Sequence, residues 1–336
     1  MANSSSSSRH QFLAQLDEGL DACRLDGVCL LAVSGGADSV AMLRGMLEVV
    51  DGKEVIVNVA HIDHQLRDDS ADDSAWVESL CEELGVPCTL RSVDVRRLAA
   101  EQGLGIEEAA RKARYSALEQ IAVATSCSAI CVAHHRDDQA ETVLANLLRG
   151  SGVSGLRGML SRRELSNDVS LVRPMLSISH ETVLGYLEDI GQGFRTDETN
   201  ADNKATRNRI RNKLIPQLRD EYNPAVVDTL CKTAKQAKDL EEIVDSIVLD
   251  LMKVVIKYQD KSTVRIDCSV LAETNRHVVR ALFHRVWRDQ QWPRQAMSFA
   301  AWDRLASLTV DVGAVTLPGK IYARRREQLL VISRSV

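Results

Sequence analysis

Six consecutive residues, Ser34-Gly35-Gly36-Ala37-Asp38-Ser39, do most to limit what this chain can fold into. They follow a strand-sized apolar run, Val28–Val33, and open a helical pattern from Asp38 to Val50. Two glycines let the backbone turn tightly and approach a ligand closely. The free N–H groups of a helix start form an anion site, and Ser34 and Ser39 add hydroxyl donors. The segment is therefore read as a phosphate cradle made of Ser34, Gly35, Gly36, Ala37, Asp38 and Ser39. It is neither GxxxxGK[ST] nor GxGxxG, and it has no lysine for a β/γ-phosphate. That absence suggests a loop gripping the pyrophosphate end while chemistry occurs at the α-phosphate. Asp38 can help hold a magnesium ion there.

The pattern around the loop sets the fold class. Apolar runs at Glu54–Asp63, Pro87–Val95 and Ala129–His135 alternate with helical stretches at Ser70–Leu84, Ile106–Thr125 and Asp137–Leu148. Such alternation predicts an α/β domain with a doubly wound parallel sheet, covered by helices on both faces. A glycine-rich loop, Gly150–Gly158, ends the regular pattern. Helices are expected near Ser179–Ile190 and over Thr206–Tyr222. Asn223-Pro224 then restarts a long helix with apolar residues at Val226, Leu230, Ala234 and onward. Strands are expected at Val264–Val270 and at Val315–Leu317 and Leu329–Ile332 around Pro318-Gly319, with helices at Arg276–Arg288 and Phe299–Leu308. With 336 residues, 45% of them apolar, the chain suits two domains. The expected division is a flexible leader and first helix over 1–25, an ATP-binding catalytic domain over 26–222, and a mainly helical, basic second domain over 223–336.

Several residues beside the predicted strand ends carry chemistry. Arg111 and Arg114 lie three apart on one helix, so they share a face suited to phosphate oxygens or a polynucleotide backbone. After the fourth strand, His134 and His135 precede Asp137 and Asp138, and Asp138 and Glu141 project together from a helix start. Two carboxylates there can hold an ammonium group, although acidic residues also simply suit helix N-termini. A net charge of −5 argues superficially against nucleic acid. The average conceals a +7 tail from Arg276 to Val336, leaving −12 for the rest. Within that acidic part, Lys204–Lys213 is basic, with Arg207, Arg209 and Arg211 and no acid. Aromatic residues are only 4% of the chain, so base stacking is not expected to dominate. The cysteines fall in apolar patterns without metal spacing. No apolar run approaches the roughly 20 residues a bilayer needs, and the serine-rich start, Met1–Ser8, has no secretory core. A cytoplasmic location without membrane partners is expected.

The motifs SGGADS, HIDHQLR, GIEEAARKARY, AHHRDDQAETVLANLLRGSGVSGLRGM, VRPML and DETNADNKATRNRIRNKLIPQL occur in this order. SGGADS resembles the PP-loop ATP pyrophosphatase superfamily. As a set, the motifs over about Val28–Tyr222 resemble the tRNA(Ile)-lysidine synthetase family, with LPGKIYARR as a looser match in the tail. The chain departs from the family at Gln65 and Lys320, where glycine is usual, and at Glu198. Its end at Val336 reads as the shorter form of the family. The resemblance implies a ligase that uses ATP and Mg2+ to adenylate the wobble cytidine of the CAU-anticodon isoleucine tRNA. Free L-lysine then attacks C2 and forms lysidine. It further implies that Asp138 and Glu141 orient the lysine, that Arg111 and Arg114 meet phosphate charge, and that His134 steadies the ATP or the intermediate. Asp38 would take the metal, and Arg207, Arg209 and Arg211 would track the RNA. A homodimer stays open. The alternatives are a PP-loop thiolase, for which a CxxC pair is missing, and a small-molecule amide ligase.

Overall fold

The computed structural model describes residues 5–66, 70–166, 168–196 and 206–335. The expected sites at Arg67, Glu198 and Lys204 lie outside these residues. The described chain begins with helix α1 (Ser5–Cys23), then strand β1 (Gly27–Ala32), α2 (Ala37–Val49), β2 (Val55–Asp63), α3 (Ser70–Leu84) and β3 (Cys88–Ser92). Next come α4 (Val95–Gln102), α5 (Ile106–Ala124), β4 (Ala129–Cys131), α6 (Arg136–Leu148), α7 (Val153–Leu156), β5 (Arg162–Glu164), β6 (Ser170–Val172) and α8 (His180–Asp189). After α9 (Thr206–Arg209), a π-helical turn over Ile210–Leu214 leads into α10 (Ile215–Glu221) and α11 (Val226–Val255).

These elements build a sheet of order β3-β2-β1-β4-β6-β5. Its pairings are parallel except β5 with β6. Strand β1 shows why both faces must be covered. Cys29 and Leu31 join one core with α1, α2 and α3 residues such as Leu16, Met42 and Val77. Leu30, pointing the other way, packs with Leu118 and Ile121 of α5. The expected doubly wound parallel sheet is thus what the chain forms. Its strand order reverses between β1 and β4, where the connections leave in opposite directions. That switch point is where open α/β sheets bind ligands.

Some boundaries differ from the sequence expectation. Ser5–Ser8, expected within a flexible leader, begin α1, because Phe12, Leu16 and Leu20 anchor that helix in the core. Strand β4 stops at Cys131, short of His135, because His135 is the N-cap of α6. Helix α4 was not expected. Its signals are local: Asp94 caps the Arg97 N–H at 2.9 Å, and Gly103 closes the helix with φ 63°.

The chain divides into two compact units at Lys235/Gln236, inside α11 and beyond the expected boundary at Tyr222. The start of α11 belongs with the first unit, since Val227 is buried with Ala140, Leu144, Ile210 and Ile215. The second unit continues with β7 (Ile256–Gln259), β8 (Thr263–Asp267), α12 (Arg276–Asp289), α13 (Phe299–Ser307), β9 (Gly313–Leu317), β10 (Ile321–Arg326) and β11 (Leu329–Arg334). Its helices pack on an antiparallel sheet of order β7-β8-β11-β10-β9, in which the sequence pattern had shown three strands. The Pro318-Gly319 turn joins β9 to β10, and β11 pairs with β10 and β8 rather than with β9. Strand β10 was hidden by its arginines. It buries Ile321 and Ala323 on one face and exposes Tyr322 and Arg324 on the other. Trp287 lies at the centre of this core, with Trp292 and Trp302 edge-on at 4.9 and 5.0 Å.

Gln65 and Lys320, the two departures from expected glycines, both adopt the left-handed backbone, with φ 51° and 59°. The backbone therefore takes at Gln65 the local conformation that a glycine would favour. A side chain in this region costs about 1–2 kcal/mol of steric strain.

Candidate active site

A cleft of about 940 Å³ opens at the switch point, lined by the glycine loop, the end of β2, the β4–α6 connection and residues of α8 and α10. Each wall has a local cause. In the glycine loop, Gly35 has φ 90°, a conformation that favours glycine. The Ser39 hydroxyl donates to Gly36 O at 3.0 Å and accepts the Ser34 N–H at 3.1 Å, which closes the turn on itself. Gly36 occupies the N-cap of α2 without a side-chain cap, so the helix start presents backbone N–H groups. Arg195 N–H holds Gly35 O at 2.9 Å from the opposite side.

The carboxylate wall comes from α6. His135 and Asp138 form a capping box, in which the His135 N–H donates to Asp138 Oδ2 at 3.0 Å. This fixes Asp138, and Glu141 follows one turn along on the same face. Both are buried, Glu141 at 2% exposure. Their partners are Arg207 and Arg211, which come in from α9 and the π-helical turn. Arg207 reaches Asp138 Oδ1 at 2.9 Å and Glu141 Oε2 at 2.8 Å. Arg211 reaches Asp138 Oδ1 at 2.6 Å and Glu141 Oε1 at 2.5 Å. Burial opposes the charge on Asp138, but His135 and Arg207 outweigh it and hold the carboxyl below its ordinary value.

Asp38 sits between two histidines, with His180 Nδ1 at 3.0 Å and His135 Nε2 at 3.7 Å. His180 was not singled out from sequence. It is the first residue of α8, its backbone N–H donates to Asp137 Oδ2 at 3.1 Å, and it ties the glycine loop to the start of α6. A serine cap at Ser179 was the only local signal. Burial opposes protonation of His135, but Asp137, Asp138 and Asp38 together raise its pKa. Asp38, His135 and His180 bring ligand atoms within 4.8 Å of one another. Asp38, supplemented by phosphate oxygens, is the oxygen donor set that suits Mg2+.

Two further histidines are held neutral. His134 lines the cleft and accepts Arg173 Nε–H on its Nδ1 at 3.3 Å. Burial, with Arg173, Arg207 and Arg111 nearby, moves its pKa down to about 3. His64 accepts Arg114 Nε–H at 3.3 Å, and burial and Arg114 lower it to about 4. Arg173, buried at the end of β6, was visible only as part of VRPML. Arg114 lines the cleft, whereas Arg111 stacks over Tyr115 at 5.0 Å and does not line it. Arg209 is exposed on the outer side of its helix, so the expected RNA-facing trio divides, with Arg207 and Arg211 turned inward.

Because both histidines have folded-state pKa values below the unfolded value of about 6.5, the unfolded chain binds more protons between about pH 4 and 6.5. Their contribution is complete above pH 6.5 and is lost as the pH falls through that window. Unfolding midpoints measured by calorimetry are expected to fall from pH 6.5 to 4, while the raised His135 adds a separate loss of stability as the pH rises above 6.5. His134→Asn should flatten that slope, and an unchanged slope would refute the burial of a neutral imidazole.

Over residues 7–218 the sequence matches the PP-loop domain, the class that the glycine loop and switch-point cleft define. The chain belongs to this PP-loop family. Among curated proteins it is similar to the tRNA(Ile)-lysidine synthase of Bacteroides thetaiotaomicron, 38% identical over 66% of this chain and 50% of that protein. It is also similar to the tRNA(Ile)-lysidine synthase of Geobacter sulfurreducens, 31% identical over 91% of this chain and 64% of that one. The chain thus spans between about a third and two thirds of the length of the curated relatives it matches. Among solved structures, the U34-tRNA thiolase NcsA from Methanococcus maripaludis shares the fold, with a TM-score of 0.58 at 15% identity, covering 69% of this chain and 79% of that one.

Proposed function

We propose that this chain ligates free lysine to C2 of the wobble cytidine in a CAU-anticodon isoleucine tRNA, using ATP. The observation that carries this reading is the buried carboxylate pair, Asp138 and Glu141, in the same cleft as the glycine loop. In the first step the cytidine C2 oxygen attacks the α-phosphorus, and the bond to pyrophosphate breaks. Loop N–H groups and the Ser34 hydroxyl would hold the triphosphate, and Arg114 would meet developing phosphate charge. Asp38 would hold Mg2+, which when bound neutralises the phosphates. In the second step the lysine ammonium first gives a proton to water, the neutral ε-amine attacks C2 and sheds its second proton, and AMP leaves with the oxygen. Asp138 and Glu141 would orient the ammonium. A carboxylate held at low pKa is a weak base, so orientation suits Asp138 better than proton abstraction in the arginine-bound state. His134, neutral with its Nδ1 occupied, would present an Nε2–H donor to the nucleotide or to the adenylated base.

Arg209, together with the exposed Lys213, suits contact with RNA phosphates. Among the described residues no helix is long and apolar enough to cross a membrane. The reading includes cytoplasmic action and leaves a homodimer as a further proposal. A thiolase reading lacks support from the cysteines, six of which are buried and none of which forms a CxxC pair. The deciding test is incorporation of labelled lysine into unmodified isoleucine tRNA with a CAU anticodon, dependent on ATP, with methionine tRNA as control. Incorporation into both RNAs, or into neither, would refute the assignment.

A further inference from the structure

We infer that Arg207 and Arg211 are an internal competitor for the amine site, and that RNA phosphates draw them away to admit lysine. This rests on the reading of Asp138 and Glu141 as the ammonium-binding pair. The two guanidiniums already make with those carboxylates the contacts that an incoming ammonium would need. Asp138 Oδ1 accepts from both arginines, and each Glu141 oxygen accepts from Arg211, with Arg207 sharing Oε2. Buried carboxylates without a cation would be costly, so in the absence of lysine this arrangement is favoured. With it in place, a lysine ammonium has to displace a paired charge.

Three observations suggest that the arginines can leave. Their side chains keep 36% and 38% exposure, while Asp138 and Glu141 keep 10% and 2%, so the carboxylates are fixed and the arginines reach in from the edge. Arg211 lies on a π-helical turn, Ile210–Leu214, a rare geometry that is frequent at functional sites. Arg209 and Lys213, on the same stretch, are exposed, so polyphosphate approaching them meets a surface whose other two arginines lie close behind. Phosphate oxygens accept bidentate arginine contacts as carboxylates do. Moving Arg207 and Arg211 from carboxylate to phosphate conserves their pairing and exposes the amine site only when RNA is present. This would keep the adenylating centre from engaging lysine before its acceptor arrives.

The test is equilibrium binding of labelled L-lysine with and without an RNA stem-loop bearing a CAU loop. For the unaltered protein, RNA is expected to tighten lysine binding about tenfold or more, since apparent affinity scales with the competent fraction. Arg207→Gln/Arg211→Gln should bind lysine at that tighter level without RNA and show no further response. Arg209→Gln removes a neighbouring charge but no carboxylate partner, so it should keep the weak RNA-free affinity. The inference is overturned if RNA leaves lysine affinity unchanged in the unaltered protein, or if Arg209→Gln gains as much as the double variant. Should the double variant unfold, the comparison with and without RNA still decides. Asp138→Asn separates the two claims. If it binds lysine as well as the unaltered protein with RNA, the carboxylate reading itself fails, and this inference with it.

Discussion

Asp138→Asn should abolish lysine incorporation into RNA while leaving a folded protein. The asparagine keeps the size of the side chain and an oxygen for the His135 N–H, so the capping box that starts α6 survives. It loses the charge that faces Arg207 and Arg211 now, and that would face a lysine ammonium during turnover. Turnover is expected to drop by about 10³-fold or more, in line with removal of a group that orients and polarises a reacting amine. Stability should fall by about 1–3 kcal/mol. That is less than the full cost of breaking a buried pair, because both arginines keep Glu141 and more than a third of their side-chain exposure. Single-turnover assays with preformed ATP–RNA complex would check it, and normal turnover would remove Asp138 from the amine site.

Gly19→Ala is expected to have the largest effect on stability. A Cβ at Gly19 would lie 1.8 Å from the carbonyl oxygen of Pro174. That neighbour is backbone, so no side-chain rotation relieves the overlap. Helix α1 would have to move away from the segment that follows β6, which also carries Arg173, the partner of His134. Overpacking of this kind costs about 3 kcal/mol, which for a unit of this size lowers the melting midpoint by about 10 °C. Differential scanning calorimetry measures it directly. A midpoint within a degree of the unaltered protein would show that the close approach of α1 is dispensable. Gly45→Ala offers a comparison in which the Cβ would meet buried side chains, Phe12 at 2.5 Å and Leu16 at 2.8 Å, rather than backbone.

What could be seen in the sequence followed from local chemistry. The Ser34–Ser39 loop announces itself, because a double glycine between a strand and a helix combines a tight turn with free backbone N–H groups. The helix Ser70–Leu84 has the expected bounds, since its acidic first turn, Asp72 and Asp73, marks its start without tertiary help. Asp138 and Glu141 share a face as the three-residue spacing required. Less visible were short elements whose stability is not local. Strands β5 and β6 have three residues each, and β6 is held between the parallel edge of β4 and antiparallel β5. Strand β10 reads as a basic run until its neighbours bury Ile321 and Ala323. His180 carries no motif signal by itself, and only α8, packed beside the glycine loop, brings it to Asp38.

The basic stretch marks the limit most clearly. By itself the sequence determined that Arg207, Arg209 and Arg211 lie on one helical segment with Lys213 and no acid between them, because charge and helical propensity are properties of neighbours along the chain. It also determined the strand–loop–helix unit read as a phosphate cradle, and with it the PP-loop family. Which way each arginine points was decided only by tertiary structure. The π-helical turn and the packing of Ile210 and Ile215 against Ala140 and Leu144 orient the segment on α6. Arg207 and Arg211 then meet two carboxylates some seventy residues away in the chain, and Arg209 meets solvent. Electrostatic energy depends on distance and burial, and neither can be read from sequence order.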